Sequence, residues 1–238
     1  MCSPPDYKNR DLEEIIGQRI SFDSVGHFYR AVSLLDYFDR TKLLTSLLYS
    51  SIEARMGIEH LLFEQLVLSV GLKLSQDDYE RCLKNRMEFE KLIQELSPDY
   101  EKLQQFTGAV LELMRMENDM LIPELVFWRP RELMKNWGKL SKYLHWFGAR
   151  NETTDNSDWV DEYQNNIRDI LLPIWERMSS GPPGLFHPDN MESHVRDIWT
   201  DFRDGKIDIS SAKRRLDLIR PILVLSSSFK VEGSMGGY

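Results

Sequence analysis

The sequence predicts an all-α protein, a helical bundle with a smaller helical C-terminal part. Three observations carry this expectation. Apolar residues recur at steps of three and four along most of the chain, the period that gathers them on one side of a helix. Thirteen glycines in 238 residues are few for an all-strand or dinucleotide-binding fold. Stretches rich in Gly, Pro, Asn and Ser are short and lie between the periodic segments, where helices end. With 42% hydrophobic residues, six tryptophans and eleven phenylalanines, a chain of this length can fill a core.

From Asp23 to Val70 the helical period is interrupted by no proline and only by Gly26 and Gly57, and it reads as two long helices divided near Asp39 to Thr41. In the second, Leu44, Leu48, Ile52, Leu62 and Leu66 fall on one broad stripe when residues advance by about 100° each. Ser75, with acids behind it, is the expected N-cap of a helix reaching about Leu96, which Ser97 and Pro98 end. Asp99 to about Met120 repeats the pattern through Leu103, Phe106, Val110, Leu113 and Met114, until Pro123 and Pro130 make continuation costly. Arg131 to Phe147 is a further amphipathic helix, with Leu133, Trp137, Leu140, Leu144 and Phe147 in step.

Residues 149–158 contain no large apolar side chain and collect Asn, Thr, Asp and Ser, which bond their own backbone in turns. This stretch is the expected boundary, with the main bundle over residues 1–148. Beyond it, Trp159 to Met178 reads as a helix kinked near Pro173, and SSGPPGLFHPDN as a loop. Helices then follow from about Met191 to Arg203 and from about Ser210 to Leu225, the second starting at Ser210 with Ser211 also able to cap it. The C-terminal part, 159–225, is expected to pack on the bundle, and the small, glycine-rich tail 226–238 to be flexible.

Thirty basic against thirty-eight acidic residues leave a net charge of −8, so whole-molecule attraction to nucleic acid or anionic membrane is not expected. No apolar run approaches the roughly 20 residues of a membrane span, and the opening residues lack the order of a signal peptide, so a cytoplasmic protein away from membranes is expected. Cys2 and Cys82 are too few for a disulfide framework. Phosphate-binding glycine loops, GxGxxG, HExxH, GxSxG and CxxC are absent, which removes nucleotide-driven and zinc-protease chemistry.

The run SIEARMGIEHLLFE on the second long helix holds the candidate site. Arg55 lies about 20° and Glu59 about 60° from the stripe centre at Leu62, so opposite charges one turn apart point inward as an i, i+4 pair. A buried guanidinium needs Glu59, a facing carboxylate, a subunit partner or a phosphate. His60 follows Arg55 at five residues, about 140° round the helix, so one chain cannot bring both to a narrow face. Arginine, four residues, histidine on a long helix of an all-helical chain resembles the HEPN superfamily, over residues from about Asp23 to Phe147. The resemblance implies a homodimer whose cleft holds both copies of the motif, with RNA as substrate and no metal or other cofactor. Arg55 would stabilise phosphate and His60 would assist cleavage as the catalytic pair, with Glu59 as a supporting ion-pair partner. The family usually has a polar residue directly after the arginine, and here Met56 stands there.

Two readings of function follow: a HEPN-like, metal-independent ribonuclease or RNA-binding protein of a defence or toxin type, and a non-catalytic helical protein–protein interaction module. An imidazole near neutral pKa can take a 2′-hydroxyl proton and a guanidinium can neutralise the phosphorane, as the first requires. Ten methionines, among them Met114, Met116, Met120 and Met134, suit the adaptable surface of the second. KNR at 84–86 and KRR at 213–215 are the compact basic runs and read as solvated helix faces. His187, Asp189, Glu192 and His194 are metal-ligand types on a loop, but no convergence of three donors is expected there. His145 reads as a packing histidine, and His27 belongs to no motif.

Overall fold

The computed structural model of the chain describes residues 6–17, 23–70, 74–84, 88–117, 125–146, 158–181, 184–185 and 188–219. Among these residues ten α-helices form and no strand does, so the fold is all-α as expected. They are α1 (Leu12–Gly17), α2 (Ser24–Thr41), α3 (Leu44–Val70), α4 (Gln76–Lys84), α5 (Glu88–Leu96), α6 (Tyr100–Glu117), α7 (Pro130–Trp146), α8 (Asp158–Ser180), α9 (Ser193–Arg203) and α10 (Ile209–Leu218).

The hairpin of α2 and α3 is the frame. Asp23 caps α2 by accepting from the Gly26 N–H at 2.8 Å. At the other end Lys42 turns left-handed, φ 58°, and its N–H returns to the Phe38 carbonyl at 2.7 Å, which reverses the chain into α3. The two helices run side by side: Ser50 Oγ donates to the Ala31 carbonyl at 2.8 Å, and near the open end the Ser24 hydroxyl donates to Glu64 at 2.6 Å. Between these ties the fully buried ring of Phe28 lies against the bare Cα of Gly57, where an added Cβ would meet ring carbons at 3.0–3.1 Å.

Two apolar clusters are built on this frame. The first joins Phe28, Val32 and Leu35 of α2, Ile58, Leu62 and Leu66 of α3, Leu92 of α5, Leu133 and Leu140 of α7, and Tyr163, Ile167 and Leu171 of α8. Arg168 of α8 grips both carboxylate oxygens of Asp39 at 2.7 and 2.8 Å, and Gln164 also donates to Asp39, which pins α8 to the end of α2. The second cluster seats Trp199 and Phe202 of α9 on Phe106 of α6, with ring centroids at 5.4 and 6.1 Å, and adds Ala212 and Leu216 of α10. Lys102 donates to the Arg203 carbonyl and Lys213 pairs with Glu112, fastening α9 and α10 to α6 from both sides. Thus α8, after the 149–158 stretch, builds the first cluster, whereas α6, before it, builds the second. Residues 149–157 and the tail 226–238 lie outside the described residues.

Several local expectations change. α10 is capped by Asp208, not Ser210: the Asp208 carboxylate takes the Ser211 N–H at 2.7 Å, and a charged acceptor outcompetes a hydroxyl. α9 starts at Ser193 because Glu192 caps it, accepting from the N–H groups of His194 and Val195. The segment expected to be one helix from Ser75 to Leu96 contains two, α4 and α5. The short α1 has no counterpart in the periodic pattern, yet its signal is in the sequence. Asp11 and Glu14 form a capping box, the Glu14 N–H bonding Asp11 at 2.8 Å and the Asp11 N–H bonding Glu14 at 3.2 Å.

Because Phe28 is enclosed on all sides, Gly57→Ala is expected to lower stability by about 1 kcal/mol even though alanine is the better helix former. Urea denaturation measures it, and an unchanged or raised midpoint would mean that the Phe28 ring yields.

Candidate functional site

Arg55, Glu59 and His60 share α3 but meet different neighbours. Arg55 and Glu59 form the expected intrahelical pair, Nε to Oε1 at 3.4 Å, with side chains 19% and 15% exposed. The sequence does not announce Trp137 of α7, which completes this pair. Its indole N–H donates to the same Glu59 oxygen at 2.8 Å, and the Arg55 guanidinium lies over its ring at 4.7 Å. Arg55 is therefore fixed toward α7 by a carboxylate and an aromatic face.

His60 turns the other way, toward α2. Its ring lies 4.7 Å from that of His27, tilted by 41°. His27 is buried, and its Nδ1 lies 2.7 Å from Glu53 Oε2. The Arg30 guanidinium donates to the same oxygen through Nε at 3.0 Å, while its Nη2 comes within 2.9 Å of the imidazole. Just beyond, Glu64 accepts from the Ser24 N–H at 2.9 Å as well as from its hydroxyl. The α2–α3 hairpin thus joins His27, Arg30 and Glu53 in one cluster, which meets His60 through the His27 ring. The visible hint is that His27 and Arg30 lie three residues apart on a buried helix face.

Electrostatics follow from this packing. Burial, together with His27, holds the His60 pKa below its ordinary 6.5 against the opposing pull of Glu64, Glu59 and Asp23. For Glu53 burial works upward, but the bond to His27 and the charge of Arg30 prevail and leave its pKa below the ordinary 4.5. At neutral pH the cluster thus holds a neutral His60 beside an ionised, doubly bonded Glu53. Chemically, His60 can exchange a proton at the surface. The guanidinium that would accompany it in the HEPN pattern is turned to α7, and Arg30, beside His27, is bonded to Glu53.

The other candidates separate in the same way. Glu192 is a cap, its pKa drawn down to about 2 by hydrogen bonds from Ser193 and His194, and His194 is exposed beside it at 3.0 Å. Asp189 is exposed, His187 lies outside the described residues, and no group of three potential metal donors converges among those described. In the KRR run Lys213 pairs with Glu112, Arg214 bonds Ser211 and Arg215 pairs with Asp201, as expected of a solvated helix face. The basic side chains of KNR, and those of His145, Met116 and Met120, lie outside the described set. Met134 is buried in the first cluster. Cys82 is buried, and burial pushes its thiol up to about 11. No described helix is long and apolar enough to cross a membrane.

A histidine harder to protonate in the folded state than in the unfolded one stabilises fully above its ordinary pKa and loses that contribution as pH falls. Lowering pH from about 7 through 6.5 toward 5 is therefore expected to reduce the urea midpoint through His60. Glu53 adds its own loss only below about 4.5, and exposed His194, whose pKa is raised by Glu192, acts with the opposite sign. His60→Gln should flatten the upper window and leave the lower one; an unchanged profile would contradict the assignment. Arg55→Ala and Trp137→Phe are each expected to cost about 1 kcal/mol, with a double variant losing less than the sum. Strict additivity would show that the two side chains do not interact.

Compared with known protein families, curated proteins and solved structures, the chain finds no match, and the character of this site rests on its own geometry.

Proposed function

We propose that this chain is a non-catalytic helical interaction protein that binds a protein partner along the outer face of α3. The observation carrying this reading is the make-up of that face. Tyr49, Met56 and Val67 are 54%, 40% and 40% exposed, and half-buried Phe63 and His60 lie between them. At about 100° per residue the four apolar side chains fall within roughly 40° of one another, with His60 at their edge, an apolar stripe instead of scattered exposed residues. Among the described residues the guanidiniums nearest this face, Arg55 and Arg30, are bound to Glu59 and Glu53, and the charges of Glu64, Glu59 and Asp23 reach His60.

The HEPN-like ribonuclease acting as a homodimer is a second reading, favoured by one observation: His60 lies on this outer face with a second imidazole and Arg30 behind it. One experiment separates the two. A photo-crosslinking residue is placed at Met56, at Val67 or at exposed Glu101 on α6, and the purified chain is also incubated with a mixed RNA pool in EDTA. The interaction reading expects adducts with a distinct protein from positions 56 and 67 but not 101, and intact RNA. RNA cleavage lost in both Arg55→Ala and His60→Ala, with the fold retained, would overturn it in favour of the ribonuclease.

A further inference from the structure

We infer that the segment received by the outer face of α3 is a basic amphipathic helix, an apolar stripe flanked by Lys or Arg, an inference that rests on the interaction reading above. Shape comes first. The stripe from Tyr49 to Val67 is about 27 Å long at 1.5 Å per residue, and positions 49, 56 and 63 recur at sevens, as do 60 and 67. A second helix laid alongside presents side chains at that repeat. A peptide added as a β-strand would need a strand edge, and none occurs among the described residues. On one side α4 widens the surface, where Tyr79, 37% exposed, meets Phe63 edge-on at 5.5 Å.

Charge selects the kind of helix. Glu53 and Glu64 border the stripe on the α2 side, Glu59 borders it on the α7 side, and Asp78 and Glu80 stand either side of Tyr79 on α4. The guanidiniums nearby are already engaged: Arg30 with Glu53, Arg55 with Glu59, and Arg81 with three carboxylates, those of Asp78, Glu88 and Glu95. Glu64 is held by the Ser24 N–H and hydroxyl, two uncharged donors, so its charge stays uncompensated by any described cation. Among these described residues five bordering carboxylates stand against three guanidiniums, on a chain whose net charge is −8. Lysines or arginines flanking an apolar face would meet these carboxylates and be steered toward them. A second copy fits poorly. Glu53 and Glu64 lie within about 20° of each other on the same edge of α3, and an antiparallel two-fold pairing sets Glu53 of one copy beside Glu64 of the other.

The test uses the full chain and three labelled helical peptides of about 21 residues that share one leucine stripe and differ only in flanking Lys, Gln or Glu. Binding is read by fluorescence anisotropy. The Lys peptide is expected to bind at least about tenfold more tightly than the Gln peptide, with the advantage shrinking as salt rises, and the Glu peptide not to bind. The Met56→Glu, Val67→Glu double variant, its fold checked by circular dichroism, should lose the Lys peptide although it gains negative charge. Unchanged or stronger binding by that variant would reduce the effect to bulk charge attraction and overturn the inference. Equal binding of all three peptides, lost in the variant, would overturn the inference while keeping the interaction reading. If no peptide binds and sizing shows a dimer that the variant abolishes, the occupant is a second copy and the inference falls. If there is neither binding nor dimer, both fall.

Discussion

Everything placed around α3 depends on how closely it approaches α2, and that distance is set where the Phe28 ring rests on Gly57. With no Cβ in the way, the helices pack near enough for short polar side chains to reach across: Ser50 to a backbone carbonyl, Ser24 to Glu64, His27 to Glu53. The helical cost of one glycine, about 1 kcal/mol, is small beside an interface that joins apolar contact to a polar network. It is also why a histidine, two glutamates and an arginine can occupy a helix–helix contact without leaving an isolated charge. Each charged member there meets an opposite charge or a donor.

Much of the fold was legible because it rests on periodicity. α2, α3, α6, α7 and α8 each carry an apolar repeat long enough to outweigh local noise, and their limits fall close to those read from the sequence. Short helices were harder. α1 has only Ile15 to bury and declares itself through a capping box, and the start of α10 turned on which of two neighbouring polar residues captures the first orphan N–H groups. The pairing of α6 with α9 and α10 leaves no trace in the sequence, since an amphipathic face shows that a helix has a partner but not which one.

The site was legible in part. That Arg55 and Glu59 would pair follows from their spacing, and that His60 would diverge from them follows from the angle between positions five apart. Trp137 and His27, which determine what those side chains do, lie 78 residues from Glu59 and on the preceding helix, respectively, and only the folded chain reveals them. A motif fixes the angles between its own members, whereas the chemistry of each depends on what the neighbouring elements bring to it.

The second apolar cluster has a consequence for synthesis on the ribosome. Lys102 and the Arg203 carbonyl it holds are 101 residues apart, as are Glu112 and Lys213. The face of α6 formed by Leu103, Phe106, Val110 and Leu113 therefore emerges long before the helices that cover it exist. At about 5–20 residues per second that gap corresponds to roughly 5–20 s during which a nascent chain carries an uncovered apolar face. Chaperones that recognise such faces have their opening in that interval, and slow codons between α6 and α9 would prolong it.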